Sequence, residues 1–417
     1  MSSVAKKIAA STLWQLSSQI TMAALSIVSV KLVATALSLE LAGYYNSAYG
    51  FLQLFGILAD FGLYAVSVRE MSNPARREDV FGALVCLRIM TATLSLGSAI
   101  ALAWIIPAWR GTPLPLGISL AALTPFFTLL AGTMRSIFQV NYRLKFVFIA
   151  EVSQRILTTI LLASLVLLLG RRGSIDPQDY LFCVFVGGLG AFVLLLLSVL
   201  FSRPLLTHPV RFSPKLFRTL LLRALPFGAA YLLLAICRQS DLTIIALLRP
   251  DFETQNAYMG FVSRITDMGF LIPTFLLNST LPIVSERWER GEEAHVLLGK
   301  TFTILLVLGT VAALFAVMWP RPIIALLTTT QYLSTPSHPG ADTALALMGI
   351  PMLLIGFILF SFYIFLVEHA WKRLVIGLAI GAAVSLTSNM LLVPTLGFVG
   401  TALTSVGTHM LLVALDR

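Results

Sequence analysis

Lys31, Arg88, Arg155, Arg238 and Arg264 lie inside stretches of chain that are otherwise apolar and long enough to cross a bilayer. A cation at the bilayer centre costs on the order of 2.5–3.5 kcal/mol on insertion scales. Such residues persist where they face a wet interior pathway, and a pathway lined by cations attracts an anionic passenger. Arginine in addition grips phosphate through a two-pronged fork. Four carboxylates share these stretches: Asp60, Glu151, Asp241 and Asp267. Glu151 and Arg155 are spaced i, i+4; Arg238 with Asp241, and Arg264 with Asp267, are spaced i, i+3. Both spacings bring side chains together on one helix face. These pairs admit two readings: mutual neutralisation that fixes helix packing, or a charged lining that handles cargo and coupling ion. Lys31 and Arg88 have no carboxylate at helical spacing, which assigns them to the pathway, although Lys31 is near enough to its span's outer end to snorkel. Asp60, near the inner end of its span, is placed either to pair with Arg69 or Arg135 as an inner gate or to cap a helix. The candidate substrate-binding residues are therefore Lys31, Arg88, Arg155, Arg238 and Arg264. The candidate ion-coupling or gating residues are Asp60, Arg69, Asp241 and Asp267.

Positioning these groups requires membrane helices. Of 417 residues, 58% are hydrophobic and 12% charged, with a mean hydropathy of +0.90. A soluble domain carries about 45–50% apolar and about 25% charged residues, and surface-to-volume scaling leaves it too little interior to hide this much apolar surface. Runs of about 20 apolar residues mark spanning helices. Twelve are predicted, at 12–36, 42–66, 80–106, 114–139, 146–169, 179–202, 224–247, 256–284, 299–319, 341–366, 373–393 and 397–415. Turn signals separate them, among them Asn73-Pro74, Gly111-Thr112-Pro113 and Asp176-Pro177. In lipid the backbone must satisfy itself, and the runs lack the alternation of barrel strands, so the fold class is an all-α membrane protein. The first run is too long for a signal-peptide core and carries Gln15, Gln19 and Lys31, so it reads as a retained helix.

Orientation follows from lysine and arginine. Nineteen lie on the side of the N-terminus and five on the other, Arg110, Arg171, Arg172, Arg249 and Arg321. The positive-inside rule then puts both termini in the cytoplasm. The net charge of +10 reflects this bias; no compact basic domain with interleaved aromatics points to nucleic acid.

A shift of 214 positions overlays the landmarks of the two halves: Thr12 on Pro226, Gly43-Tyr44 on Ala257-Tyr258, Pro107 on Arg321. Residue identity is poor, so it is element positions that match. They imply an N-terminal six-helix bundle over 1–202, a basic linker over 203–223, and a C-terminal six-helix bundle over 224–417. An even number of spans keeps both copies in one orientation, a parallel repeat about an axis along the membrane normal, with the binding site between the halves. Pro125, Pro273, Pro282 and Pro351 fall inside spans and predict kinks, with Pro273 the foremost hinge. Gly377 and Gly381 form a close-packing face.

Enzymatic constellations are missing. There is no phosphate-binding loop, nucleophile elbow or zinc-protease helix. Cys86, Cys183 and Cys237 suit neither disulfides nor zinc, and the five histidines form no ligand spacing. No cofactor or metal is called for.

Several motifs together resemble the oligosaccharide flippases, the O-antigen or polysaccharide exporters of the MATE-like superfamily. In the first half these are Ala34 to Tyr45, with Gly43-Tyr44-Tyr45 at its end, then Asp60-Phe61-Gly62-Leu63 and Val68-Arg69-Glu70. In the second half they are Ala224-Leu225-Pro226-Phe227, Arg238-Gln239-Ser240-Asp241 and Ala257-Tyr258. The family's usual arginine is Thr35 here, and Lys31 stands one turn earlier. The resemblance implies two pseudo-symmetric six-helix bundles around a central cavity and alternating access. It also implies a polyprenyl-diphosphate-linked glycan moved to the outer leaflet of a bacterial inner membrane for surface polysaccharide synthesis. The partners would be that anionic lipid-linked glycan, membrane lipids, a proton or sodium ion and polysaccharide-assembly proteins, with no nucleic acid. A non-enzymatic flippase is thus the leading expectation. One rival is a cation-coupled multidrug antiporter of the same superfamily, with a cavity of carboxylates and aromatics. The other is a membrane-embedded polysaccharide polymerase or ligase, a class that needs a large outer loop; the longest outer gap here, about 320–340, is short.

Overall fold

Apolar runs bounded by proline and glycine fold as helices throughout. A computed structural model describes residues 3–63, 66, 70–71, 77–173, 175–206, 214–289, 295–368 and 370–415. Among the described residues there are helices and no strands. In chain order the α-helices are α1 (Ser3–Ala36), α2 (Leu39–Asp60), α3 (Arg77–Ile105), α4 (Leu114–Ala121), α5 (Leu123–Val140), α6 (Lys145–Arg172), α7 (Pro177–Ser202), α8 (Pro214–Gln239), α9 (Asp241–Leu248), α10 (Phe252–Glu289), α11 (His295–Met318), α12 (Pro320–Leu327), α13 (Ala341–Val367), α14 (Trp371–Leu396) and α15 (Phe398–Leu415).

Among the described residues ten helical stretches are long and apolar enough to span a membrane. They match ten of the twelve expected runs. The other two, the second and eighth, are α2 and α10. Both are helical, and each carries polar residues that it buries. α2 buries Asn46 and Ser47, and α10 buries Asn256 and Thr266. A helix enclosed by neighbours tolerates polar side chains that lipid would not.

Local chemistry sets the helix ends. Ser38 caps α2, its hydroxyl accepting from Leu41 N at 3.3 Å. Asp176 and Asp179 form a reciprocal capping box at the start of α7. Gly173 closes α6 at φ 71°. The break between α4 and α5 falls at Ala122, beside the missing N–H of Pro125. At the other prolines the helix assignment is unbroken: α10 runs through Pro273 and Pro282, and α13 through Pro351. The outer gap near 320–340 is folded by α12, a 3-10 turn at Thr330–Tyr332, and Asp342, which accepts from Ser334 N at 2.6 Å.

The chain forms two compact units, residues 1–232 and 233–417, and the boundary in sequence falls within α8. Residues 207–213 of the basic linker lie outside the described residues, and from Pro214 the chain is already α8. Of the segment expected as a loop or interfacial helix, residues 214–223 are helical and continuous with the seventh span. Its Leu220 and Ala224 join Leu63, Met71, Phe81, Leu84, Leu87 and Ile137 in one buried cluster of the first unit.

In that unit α1 lies along α6. Trp14 meets Phe148 with ring centroids 5.2 Å apart, and Ser29 Oγ meets Thr159 Oγ1 at 3.3 Å, so the two helices run the same way. In the second unit α14 packs on α15. Gly381 lets them close: a Cβ there would stand 2.6 Å from Leu412 Cδ2. Gly377, its partner in the motif, has open space around it, so one of the two glycines makes the close approach.

Candidate transport site

Asp60 ends α2, and the chain turns sharply through Phe61 at φ 43° and Gly62 at φ 70°. On α3, Arg88 is 1% exposed. Its Nη1 donates to Asp60 Oδ1 at 2.5 Å, while the Asp60 side chain remains 38% exposed. Thr91 Oγ1 donates to Ala59 O at 2.9 Å and Ser95 Oγ to Phe55 O at 2.7 Å, bolting α3 to α2 over the two turns that follow the pair along α3. Arg88 Nε is buried with no hydrogen-bond partner among the described residues. Asp60 thus pairs with Arg88. Arg69 lies outside the described residues, and Arg135 is engaged elsewhere. The missing signal is geometric: Arg88 and Asp60 are 28 positions apart, and helical spacing cannot register a pair between helices.

Glu151 on α6 accepts from Arg135 Nη1 at 3.0 Å and from the Ser18 hydroxyl, tying α5, α6 and α1 together. The bridge shown for Glu151 therefore runs between helices, whereas the i, i+4 spacing predicted Arg155. Arg155 is half-buried one turn on, and Thr159 Oγ1 donates to its carbonyl at 2.8 Å. Lys31 is half-buried on α1. Thr35, in the place of the cation that the resemblance expects, is exposed, and its hydroxyl donates to Lys31 O at 2.8 Å. Neither Lys31 nor Arg155 lacks partners.

In the second unit the seventh span breaks at Ser240, between α8 and α9. The Ser240 hydroxyl donates to Ile236 O at 2.8 Å. The break changes the predicted pairing. Arg238, at the end of α8, crosses to α10 and donates from Nη2 to Asp267 Oδ1 at 3.2 Å. Asp241, at the first position of α9, is 6% exposed and accepts from Asn389 Nδ2 on α14 at 3.3 Å. The expected i, i+3 pair between Arg238 and Asp241 is thus replaced by two links to different helices. An acid at a helix N-terminus is favoured by the helix dipole, and a half-helix inside a span is where transporters place ion sites. Arg264, one turn before Asp267, is half-buried and is not without partners.

Sequence reading missed Asn389, Thr404 and Thr408. All three are buried, and Asn389 Oδ1, Thr404 Oγ1 and Thr408 Oγ1 have no hydrogen-bond partner among the described residues. Buried oxygens of this kind accept from a proton carrier or ligate a hard cation. Nearby on α15, His409 is buried, with Nδ1 2.7 Å from Ser405 O. Among the described residues no three of His, Cys, Asp and Glu gather as a metal cluster.

Spanning helices that hold arginine–carboxylate pairs and a half-buried lysine within the membrane define a multi-pass membrane protein of the transporter class. The family is shown by sequence: a model described as "Polysaccharide biosynthesis protein" matches residues 8–288, and the chain belongs to that family. No curated protein matches the chain. Solved structures carry the same MATE-like fold. One is the lipid II flippase MurJ in an inward closed conformation, at 14% identity and a TM-score of 0.71, over 97% of this chain and 86% of that one. Another is an inward-facing multidrug resistance MATE family transporter of the MOP superfamily, at 13% identity and a TM-score of 0.70, over 97% of both chains. A third is a MOP superfamily transporter from Pyrococcus furiosus described by a reverse polarity of its binding pocket, at 13% identity and a TM-score of 0.65, over 99% of this chain and 95% of that one.

Proposed function

We propose that this protein flips a polyprenyl-diphosphate-linked oligosaccharide across the bacterial inner membrane by alternating access, supplying surface polysaccharide synthesis. The observation that carries the reading is the set of intramembrane cations in a chain of the polysaccharide biosynthesis family. A diphosphate needs such cations, whereas a neutral or cationic drug does not. In this reading Lys31, Arg88, Arg155, Arg238 and Arg264 serve the diphosphate, and the glycan crosses while the polyprenyl tail stays in lipid. Both termini are cytoplasmic, on the strength of the lysine and arginine bias.

Asp241 with Asn389 is the proton or sodium coupling site. Among the described residues Asp241 is a buried carboxylate whose hydrogen-bond partner is an amide rather than a cation. A group of this kind changes charge, or holds a cation, more readily than an acid already neutralised by arginine. Binding there biases the equilibrium between the two access states by its differential affinity for them. Asp60 and Asp267, each held by an arginine, set the geometry of their cations.

The multidrug antiporter has one observation in its favour, the likeness to a multidrug resistance transporter at a TM-score of 0.70. Against it, Asp60, Glu151 and Asp267 are each bridged to arginine, which leaves fewer free carboxylates for a cationic drug. Reconstitution decides between them. Proteoliposomes loaded with a fluorescent polyprenyl-diphosphate glycan should expose it to an external glycosidase, and Lys31→Gln and Arg264→Gln should slow this at least tenfold. Unchanged rates in both variants, or efflux of cationic dyes with no glycan exposure, rejects the assignment.

A further inference from the structure

Three exposed cations lie where α6 begins and α7 ends, at one end of the first unit and apart from the site above. Arg143 lies in the turn before α6, Lys145 is the first residue of α6, and Arg203 follows the end of α7; all three are exposed. The ring of Phe146 stacks on that of Phe201 with centroids 5.1 Å apart, which ties the start of α6 to the end of α7 and holds the cations to one edge. The carboxylate nearest in sequence, Glu151, is taken by Arg135 and Ser18. Arg143, Lys145 and Arg203 have no ion pair to any acid among the described residues.

Each helix also carries an apolar stripe that ends at this edge. On α6, Lys145 stands four residues before Ile149, and Ile149, Ile156, Ile160 and Leu167 follow at helical spacing, all exposed. On α7, Phe185, Phe192, Leu196 and Leu200 are exposed, with Arg203 three residues beyond. Spacings of three, four, seven and eleven keep residues on one helix face. Lipid-facing stripes that terminate in unneutralised cations offer acyl chains a wall and a phosphate a set of donors.

We propose that this edge, where α6 begins and α7 ends, binds the phosphate headgroup of an anionic phospholipid through Arg143, Lys145 and Arg203. The positive-inside bias alone requires cations somewhere on this side; it does not require them at the ends of two exposed stripes whose helices a ring stack joins there, and out of ion pairs among the described residues. Each cation near an anionic surface strengthens association about fivefold. The site is independent of the transport reading, and its test does not use transport.

The test is native mass spectrometry of the full chain released from mixed phosphatidylcholine and phosphatidylglycerol micelles. The wild type should retain phosphatidylglycerol over phosphatidylcholine. The triple variant Arg143→Gln, Lys145→Gln, Arg203→Gln should lose that preference by about tenfold or more. Removing Arg110 and Arg171, exposed cations on the other side of the charge bias, should leave it intact. Melting in phosphatidylcholine alone checks that the triple variant folds, and if it does not, the single variants should each lose about fivefold. The proposal is overturned by a wild type with no preference, by a triple variant that keeps it, or by equal loss in the Arg110 and Arg171 variant. It is also overturned if polyprenyl diphosphate displaces phosphatidylglycerol one for one, since the edge would then belong to the transported lipid.

Discussion

Arg88 on α3 is sealed from solvent while its partner Asp60, at the end of α2, stays partly open, the two joined at 2.5 Å. Removing one member of a buried pair leaves an uncompensated charge and costs about 3–5 kcal/mol; here the open side of Asp60 moderates this to the lower end. Arg88→Ala should therefore lower the melting temperature in detergent as well as abolish glycan transport. The double variant Arg88→Gln, Asp60→Asn should recover most of the stability and none of the transport. Recovery of both would make the pair structural only.

Asp241 should separate coupling from folding. Among the described residues its side chain accepts one hydrogen bond, from Asn389, and is in no ion pair with arginine. Asp241→Asn keeps the shape and removes the charge, so the melting temperature should hold or rise, since a buried charge disfavours folding. Transport driven by an imposed proton or sodium gradient should fall at least tenfold, while slow exchange without a gradient persists. Full gradient-driven transport in this variant would remove Asp241 from the coupling role.

Gly62 is required by two features at once. Its φ is 70°, and a Cβ there would lie 2.6 Å from Phe227 Cβ and 3.0 Å from Gly228 N. Gly62→Ala should destabilise the protein by about 1–3 kcal/mol, from left-handed strain and the clash with α8. Thermal unfolding in detergent measures it. Gly377→Ala, with open space around its Cβ, should be neutral or slightly stabilising in the same assay.

Outside the spans, Arg249 makes a two-pronged contact to Asp251 at 2.7 and 3.0 Å and donates from Nη1 to Pro394 O at 2.7 Å. The guanidinium's hydrogen bonds hold the Asp251 carboxyl below the usual carboxylate range. A carboxylate with a lowered folded pKa stabilises the fold fully above its unfolded value, about 3.9. That contribution is lost as pH falls from there through the lowered value. The difference in melting temperature between wild type and Asp251→Asn should therefore be constant from pH 5 to 8 and shrink below about pH 4. A difference that instead grows on acidification would contradict the direction of the shift.

Membrane sidedness has its own test. Single cysteines at positions 110 and 215 should label from opposite sides, 110 from the periplasm and 215 from the cytoplasm. The reverse pattern would invert the charge-bias reading.

The sequence by itself determined the membrane class, the helical architecture and ten of the spans, because hydrophobic run length is a local property that lipid reads directly. It also exposed the intramembrane charges, since each is an outlier against its own neighbours. The helices α2 and α10 were legible too, at 42–66 and 256–284, although they carry more polar residues than the other spans. What the tertiary structure decided was who meets whom. Arg88 found Asp60, Glu151 found Arg135, and a break at Ser240 sent Arg238 to Asp267 and Asp241 to Asn389. Each of those partners lies on another helix, and a one-dimensional pattern carries periodicity along a helix but no information on which faces lie against each other.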